Sequence, residues 1–309
     1  MEQKMPPTEQ RAGDSNRITR EYLDSLLIEL RYLDAAVPST ELELYGEKFA
    51  TPVMTAALSH LDRSRADGMV EMARGACAAG AVMWAGMGDE AELEAIVATG
   101  AKTVVVLKPY ADNELILRRI EHARSCGVLA IGMDVDHAFD QTGRPGSVLG
   151  WAMAPKSLDE IKLFVQAAQV PFIIKGVLSE QDAVKCLEAG VQGMVISHHH
   201  GIQDFAVPPL QILPRIASLV AGRMPIFADC GISSGMDVFK AIALGATAAS
   251  IGRMLIPPLV RDGAEGVRQS IENITSELTA AMARTCSPDL FHIDPSVIWN
   301  RFSQKQNPG

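Results

Sequence analysis

Cysteine is scarce in this sequence, and its spacing excludes two common kinds of stabilising chemistry. The 309 residues include five cysteines, at positions 77, 126, 186, 230 and 286, and no two of them form a Cys-x-x-Cys pair. An odd number of scattered cysteines is typical of free thiols in a reducing compartment. We therefore expect neither a disulfide framework nor a structural zinc site.

Long apolar runs and an excess of positive charge are also missing. No stretch of about 18 apolar residues occurs, and the polar N-terminus, MEQKMPPTEQRAGDSN, lacks the apolar centre that a signal peptide needs. The net charge of -9 argues against a nucleic acid or an anionic membrane as partner. We expect a cytoplasmic protein that acts on a small molecule.

No linker rich in proline, glycine or serine divides the chain, so we expect a disordered tail at residues 1–17 and a single domain at residues 18–309. Short apolar runs alternate there with stretches of helical periodicity. The runs that predict strands are 52–55, 81–84, 103–107, 129–133, 172–174, 193–196, 226–228 and 248–251. This alternation favours an α/β fold, a (β/α)8 TIM barrel, with an open doubly wound sheet as the alternative. A short N-terminal helical extension, one or two helices within residues 19–44, should close the lower end of the barrel.

Several predicted strands end at residues that can carry chemistry. Lys175 ends a strand in FIIKG, and His198, His199 and His200 follow the strand in GMVIS. An unpaired buried ammonium group is costly, so Lys175 either projects at the carboxyl end of the barrel or is a structural lysine at the surface. Consecutive residues of an extended segment point to alternate sides, which places the three histidines poorly for sharing a metal ion. An imidazole is, however, suited to taking a proton at neutral pH.

Two carboxylates and a set of glycines complete this end of the predicted barrel. Asp136 follows the fourth strand and Asp229 ends the seventh, and either carboxylate could orient a histidine base. Gly231, Gly252 and Arg253 follow the seventh and eighth strands, where backbone N–H groups and helix N-termini form anion sites in such barrels. We therefore expect a phosphate group to bind there.

The order of these segments resembles the FMN-dependent α-hydroxy-acid dehydrogenase and oxidase family over about residues 17–285. The family pattern Ser-Asn-His-Gly-Ala-Arg-Gln is met by Ser197, His198, His199, His200, Gly201, Ile202 and Gln203. The resemblance implies FMN as the cofactor and His199 as the catalytic base. It also implies that Asp136 binds this histidine, since the family's Thr-Val-Asp matches residues 134–136.

The same resemblance implies which residues contact FMN. Lys175 matches the lysine of the family's Val-Lys-Gly motif, whose ammonium group stabilises negative charge at flavin N1 and the C2 oxygen. The segment TPVMTAALS takes the place of a family segment whose backbone lies along the flavin, and Ser233 stands where the family has a second arginine. The implied FMN-binding residues are Ala56, Ala57, Ser59, Lys175, Ser197, Asp229, Gly231, Ser233, Gly252 and Arg253.

The substrate-binding residues depart from the family pattern. Ile202 stands where the family has an arginine that binds the substrate carboxylate, and Lys108 stands where it has a tyrosine. We expect Lys108, His198 and Ile202 to face the substrate, with Lys108 either replacing the lost cation or forming a salt bridge with Asp134. The substrate is then not a simple 2-hydroxy acid.

The expected activity is an FMN-dependent oxidation in which hydride leaves a carbon next to oxygen or nitrogen while His199 takes a proton. The alternatives are a flavin-dependent isomerase or oxygenase, and a degenerate flavin-binding barrel that acts as a partner subunit. We expect a homo-oligomer without a metal ion, and oxygen or another molecule as the electron acceptor. The segment 140–155, punctuated by glycine and proline, is either a lid or a packing loop.

Overall fold

The computed structural model describes residues 12–301, which form fourteen strands and nine α-helices. The strands are β1 (Leu26–Ile28), β2 (Leu42–Leu44), β3 (Glu47–Phe49), β4 (Val53–Thr55), β5 (Met83–Ala85), β6 (Thr103–Leu107), β7 (Ala130–Asp134), β8 (Ser147–Val148), β9 (Trp151–Ala152), β10 (Phe172–Val177), β11 (Gly193–Ile196), β12 (Ile226–Ala228), β13 (Ala248–Ile251) and β14 (Ile298–Asn300). The helices are α1 (Ser15–Ser25), α2 (Gly68–Ala78), α3 (Glu90–Ala98), α4 (Asn113–Ser125), α5 (Leu158–Ala168), α6 (Glu180–Ala189), α7 (Pro209–Val220), α8 (Gly235–Ala243) and α9 (Ile256–Ala283). No helix within the described residues is long and apolar enough to cross a membrane.

Eight of the strands form one parallel sheet, in the order β4-β13-β12-β11-β10-β7-β6-β5. The two outermost strands of this order also meet, because the Thr55 N–H donates to the Val82 carbonyl over 3.2 Å and Leu58 forms a parallel bridge with Ala85. The sheet therefore closes into a (β/α)8 barrel. The eight predicted strands are the eight strands of this barrel, and the open sheet considered as an alternative is wrong.

Capping residues in the sequence set where the helices begin and end. Ser157 and Glu160 form a capping box at the start of α5, and the Ser179 hydroxyl accepts the Asp182 N–H at the start of α6. Helix α6 ends at Gly190, whose φ of 74° lies in the left-handed region that glycine tolerates best. These signals lie within a few residues of the helix ends that they stabilise.

Large side chains fill the interior of the barrel. The rings of Trp84 and Phe227 meet edge to face, with their centroids 5.3 Å apart. Their strands, β5 and β12, are not neighbours in the sheet, so this contact crosses the barrel interior. The Trp84 indole N–H lies 3.3 Å from the sulfur of Met54. Because the interior is a packed core, the chemistry is confined to the ends of the strands.

The structure departs from the prediction that helices within residues 19–44 close the lower end of the barrel. The lower end is covered by the antiparallel hairpin β2–β3, where the Tyr45 hydroxyl donates to the Gln192 carbonyl just before β11. Helix α1 lies at the opposite end, because Thr19 and Arg20 contact the loops after β11 and β12. The prediction of helices at the lower end was wrong, because β1 pairs with the distant β14 and α1 is held by loops from the far half of the chain.

The predicted tail at residues 1–17 lies partly outside the described residues. Residues 1–11 are not described, whereas α1 begins at Ser15, with Asp14 as its N-cap accepting the Asn16 N–H. Residues 15–17 therefore belong to the helix that contacts the catalytic end of the barrel.

The segment 140–155 contains the short hairpin β8–β9 and packs against the loop after β6. The Ala111 N–H donates to the Ala152 carbonyl and the Ala154 N–H to the Pro109 carbonyl, over 2.8 and 2.9 Å. Met153, between them, is fully buried. These contacts favour the packing-loop interpretation of the segment over a lid.

Candidate active site at the carboxyl end of the barrel

A cavity of about 880 Å³ lies at the carboxyl end of the barrel strands. This volume is in the range of about 300–1,000 Å³ that is usual for small-molecule and cofactor sites. Of the ten predicted FMN-binding residues, all but Ser59 and Ser197 line it. The lining residues used below are Ala56, Ala57, His137, Lys175, His199, His200, Ile202, Asp229, Gly231, Ser233, Gly252 and Arg253, together with Arg20 from helix α1.

The two serines do not line the cavity. The Ser197 hydroxyl accepts the backbone N–H of His199 over 3.0 Å, so it holds the turn that carries the histidine. The Ser59 hydroxyl packs against Gly86, where even a Cβ atom would come within 2.3 Å of it. Both residues shape loops of the site without lining the cavity.

The turn after β11 is strained and separates the three histidines. His199, His200 and Gly201 follow one another in the left-handed region, with φ of 47°, 54° and 76°. Non-glycine residues rarely adopt this conformation, and where they do so the surrounding contacts hold them there. His198 reaches helix α1, His199 reaches Asp136, and His200 contacts Arg253. The three rings therefore point toward different partners.

His198 was expected to face the substrate, and the structure contradicts this. Its ring is buried, with Nε2 2.7 Å from the Thr19 hydroxyl and Nδ1 accepting the Gly201 N–H over 2.9 Å. Burial lowers the pKa of His198, which keeps the ring neutral and able to accept that N–H. His198 holds α1 against the histidine turn and does not line the cavity.

A buried carboxylate, Asp134, organises the charges below the cavity. The Lys108 and Lys175 ammonium groups donate to its two oxygens over 2.6 and 2.8 Å, and His199 Nδ1 lies 3.5 Å away. Burial would raise the pKa of Asp134, but Lys175, His199 and Lys108 lower it well below its ordinary value. Asp134 is therefore ionised and balances two buried cations.

The position of Lys108 decides between the two alternatives considered for it. Lys108 is buried, forms the salt bridge with Asp134 and does not line the cavity. Its predicted role as the substrate-facing replacement cation therefore has no structural support. Lys175, in contrast, is buried and also lines the cavity, so it is not a surface lysine.

His199 is held between a carboxylate and a second imidazole. Its Nδ1 lies 2.9 Å from Asp136 Oδ1, and its Nε2 lies 2.8 Å from Nε2 of His137. Burial disfavours the charged ring, but Asp134 and Asp136 outweigh it and raise the pKa of His199. Burial, Lys108 and the charge of His199 lower the pKa of His137 to about 4. His137 is thus neutral at physiological pH, whereas His199 readily holds a proton.

The sequence left open whether Asp136 or Asp229 binds the histidine. Asp136 makes the contact, and its second oxygen, Oδ2, is buried without a hydrogen-bond partner among the described residues. Asp229 instead lies 3.8 Å from the Lys175 ammonium group and accepts the Cys230 thiol over 2.9 Å. The role of His137 could not be recognised from the sequence, because nothing in its local pattern distinguishes it from a surface histidine after β7.

Asp134, Asp136, His137 and His199 have ligand atoms within 4.8 Å of one another, a spacing that a metal ion could use. Two ammonium groups already pair with Asp134 in this cluster, however. Their positive charges oppose a metal cation, whereas an anionic flavin near Lys175 would be stabilised.

Arg20 reaches the predicted phosphate site from helix α1. Its Nη1 lies 3.1 Å from the Gly231 carbonyl and 3.4 Å from the Ser233 hydroxyl, across 211 and 213 residues of sequence. The guanidinium also binds both oxygens of Asp237, over 2.9 and 3.0 Å. The role of Arg20 could not be recognised from the sequence, because only the fold of α1 over the barrel brings it to this position.

The residues that line the cavity have the chemical groups that FMN binding requires. Gly231, with φ of 79°, and Gly252 carry the turns after β12 and β13, and both line the cavity. Arg20 and Arg253 stand beside these turns, and the Lys175 ammonium group lines the same cavity. Backbone surface, one buried ammonium group and two guanidinium groups are the partners that a flavin ring and a phosphate need.

A (β/α)8 barrel with such a cavity, and with an imidazole held by a carboxylate, has the features of a flavin-dependent oxidoreductase. A model of the FMN-dependent dehydrogenase family matches residues 8–157 and 148–300 of this chain. The chain therefore belongs to the FMN-dependent dehydrogenase family, and it is an oxidoreductase whose cofactor is FMN.

Curated relatives and solved structures agree with this assignment. The chain is 29% identical over 290 residues to an L-lactate oxidase of Alicycliphilus denitrificans, covering 81% of this chain and 78% of that protein. It is 28% identical over 278 residues to a 4-hydroxymandelate oxidase of Amycolatopsis orientalis, with 79% and 78% covered. An arginine-to-leucine variant of mandelate oxidase, solved with 2-hydroxy-phenylacetamide, superimposes with a TM-score of 0.83 at 27% identity, covering 94% of this chain and 89% of that one.

Proposed function

We propose that the protein oxidises a small, uncharged organic molecule at a C–H bond next to oxygen or nitrogen, with His199 as the final proton acceptor. The observation that carries this proposal is the arrangement of His199, which lines the cavity while Asp136 and Asp134 hold its Nδ1 side. FMN, when bound, supplies the acceptor for the hydride. The residues of the chain bind and orient both molecules and take the proton.

Three regions of the cavity wall would hold FMN. Backbone groups of Ala56 and Ala57 would lie along the flavin ring, because these residues line the cavity with small side chains. Lys175 would stabilise negative charge on the reduced ring, since Asp134 fixes its ammonium group below the cavity. Arg20 and Arg253 would bind the phosphate together with the N–H groups of the glycine turns.

The proton would end on Nε2 of His199. Because Nδ1 of His199 donates to Asp136, its Nε2 accepts from the N–H of His137 in the arrangement described above. A substrate hydroxyl therefore either displaces His137 or passes its proton through it. In the second case Nδ1 of His137 gains the substrate proton while its Nε2 gives its own proton to His199. Both routes leave an imidazolium that two carboxylates stabilise.

The charges around the cavity favour a substrate without a carboxylate. Ile202 lines the cavity where the resembling family has an arginine. Among the described residues that line the cavity, the cations are Lys175, which pairs with Asp134, and Arg20 and Arg253, which would bind the FMN phosphate. A carboxylate would lose its hydration without gaining a free cation, which is costly. A 2-hydroxy amide keeps the oxidisable carbon and lacks that charge.

The test compares matched acids and amides under anaerobic conditions. Mandelate and 2-hydroxy-phenylacetamide differ in charge and little in shape, and bleaching of the FMN absorbance reports oxidation of either one. We expect the amide to bleach the flavin faster than the acid, and this bleaching to be lost in His199→Gln. A protein that oxidises mandelate, lactate or glycolate more efficiently than the amide would contradict the proposed substrate class. Bleaching that survives in His199→Gln would contradict the role of the base.

A further inference from the structure

Three metal-ligating side chains converge on the outer layer of the barrel, and none of them lines the flavin cavity. His122 lies near the end of α4, Cys126 is the C-cap of the same helix, and Glu94 lies on α3. Nε2 of His122 is 3.5 Å from Sγ of Cys126 and 3.8 Å from Oε1 of Glu94. The three ligand atoms all lie within 4.8 Å of one another.

These distances match the edges of a tetrahedral zinc site. Zinc binds histidine nitrogen at about 2.0–2.1 Å, cysteine sulfur at about 2.3 Å and carboxylate oxygen at about 2.0–2.2 Å. Tetrahedral angles then separate nitrogen from sulfur by about 3.6 Å and nitrogen from oxygen by about 3.4 Å. The observed separations of 3.5 and 3.8 Å need only a small movement of Glu94, whose side chain is 64% exposed and free to move.

The electrostatic environment of the cluster attracts a cation. The Glu94 carboxylate, 3.8 Å from His122 Nε2, brings a negative charge to the cluster. The Glu90 carbonyl oxygen lies 3.3 Å from His122 Nε2 and adds negative potential. A divalent cation gains from such a field, and a bound metal displaces the proton of a thiol.

We infer that Glu94, His122 and Cys126 form a Zn²⁺ site that links α3 to α4. One imidazole, one thiolate and one carboxylate are zinc ligands, and water would occupy the fourth position. On binding, the Cys126 thiol loses its proton to the solvent and its sulfur forms a bond to the metal, with no change of oxidation state. The cysteine spacing alone did not predict this site, because its third ligand comes from another helix. The inference does not depend on the substrate or on FMN.

The site can be tested on the flavin-loaded full chain. After chelation and desalting, Zn²⁺ is titrated calorimetrically in two buffers of different ionisation enthalpy, and Co²⁺ is titrated while the absorption spectrum is recorded. We expect one Zn²⁺ per chain at this site, release of a proton, and a thiolate-to-cobalt absorption band. Cys126→Ser and His122→Gln should weaken Zn²⁺ binding by about 100-fold or more, and Glu94→Gln by about 10-fold.

Matched controls separate this site from other metal-binding groups. Cys77→Ser, His292→Gln and Glu121→Gln remove the same side-chain types elsewhere on the surface and should leave Zn²⁺ affinity unchanged. His137→Gln tests the cluster at the catalytic end and should also leave it unchanged. Absence of Zn²⁺ binding, or binding that survives the Cys126 and His122 substitutions, would overturn the inference. Should Cys126→Ser fail to fold, unaltered affinity in Glu94→Gln, at an exposed position, would overturn it equally.

Discussion

Replacing Asp136 with asparagine should lower the pKa of His199 by about one to two units. The carboxylate lies 2.9 Å from Nδ1, and both side chains are mostly buried, so the contact is a charge-assisted hydrogen bond to the imidazolium. Such a bond contributes about 1.5–3 kcal/mol. Since one pKa unit corresponds to about 1.4 kcal/mol, its loss lowers the pKa of His199 by about one to two units. Asp134, 3.5 Å from the same nitrogen, remains and favours the lower value.

The pKa of His199 can be measured without a substrate. The imidazole resonances of the flavin-loaded protein are titrated by NMR with isotope-labelled histidine, and His199→Gln assigns the signal. Asp159→Asn is the matched control, because Asp159 is exposed and its carboxylate pairs with Lys162 on the surface of α5. The control should leave the titration of His199 unchanged.

The same shift determines the pH dependence of flavin reduction. His199 is a base only when neutral, and its pKa is raised, so the rate should fall as the pH drops through that raised value. In Asp136→Asn this fall should occur at lower pH, although the loss of imidazolium stabilisation slows the reaction at neutral pH. A His199 pKa that is unchanged or higher in Asp136→Asn would refute the reasoning.

Three further substitutions test the cofactor site and the core. Arg20→Gln should raise the dissociation constant for FMN by about 10-fold and leave that for riboflavin unchanged, because the lost contact is to the phosphate. Adding Ser233→Arg to this variant should restore the affinity for FMN. Equal effects on both ligands would contradict this role of Arg20. Lys175→Met should make the reduction potential of bound FMN more negative, because the reduced ring loses a cation; the potential is measured spectroelectrochemically. Lys108→Met is the control, because Lys108 lies outside the cavity. An equal change of potential in both variants would argue against a direct role of Lys175. Trp84→Ala should reduce the free energy of unfolding in urea by about 3–5 kcal/mol, since the ring is fully buried in the barrel; a loss below about 1 kcal/mol would show that the interior can repack.

The barrel could be predicted because its signals are local. Each strand is a short apolar run, and caps such as Ser179 and Gly190 lie within a few residues of the helix they begin or end. The N-terminal helix exists, but the prediction that it closes the lower end of the barrel failed for the opposite reason. Strand β1 forms by pairing with β14, and no residue near Leu26 indicates a partner more than 270 residues away.

The candidate site likewise contains residues that the sequence predicted and contacts that it did not predict. Lys175 lies near the end of β10, and His199, Asp229 and Arg253 follow strands. Because the carboxyl ends of barrel strands meet at one face, their convergence could be predicted. The residues that pair with these side chains, and so set their protonation states, could not be predicted. Asp134 was considered only as a salt-bridge partner of Lys108, yet it binds two lysines and approaches the histidine base.

By itself, the sequence determined the barrel, the family and the set of strand-end residues, because hydrophobic periodicity and short motifs act over a few residues. Only the tertiary structure decided which of these side chains contact one another. It turned His198 toward helix α1, placed His137 on His199, and brought Arg20 to the glycine turn after β12. These contacts join residues distant in the chain, and their energies depend on burial and on separations of about 3 Å that only the folded chain defines.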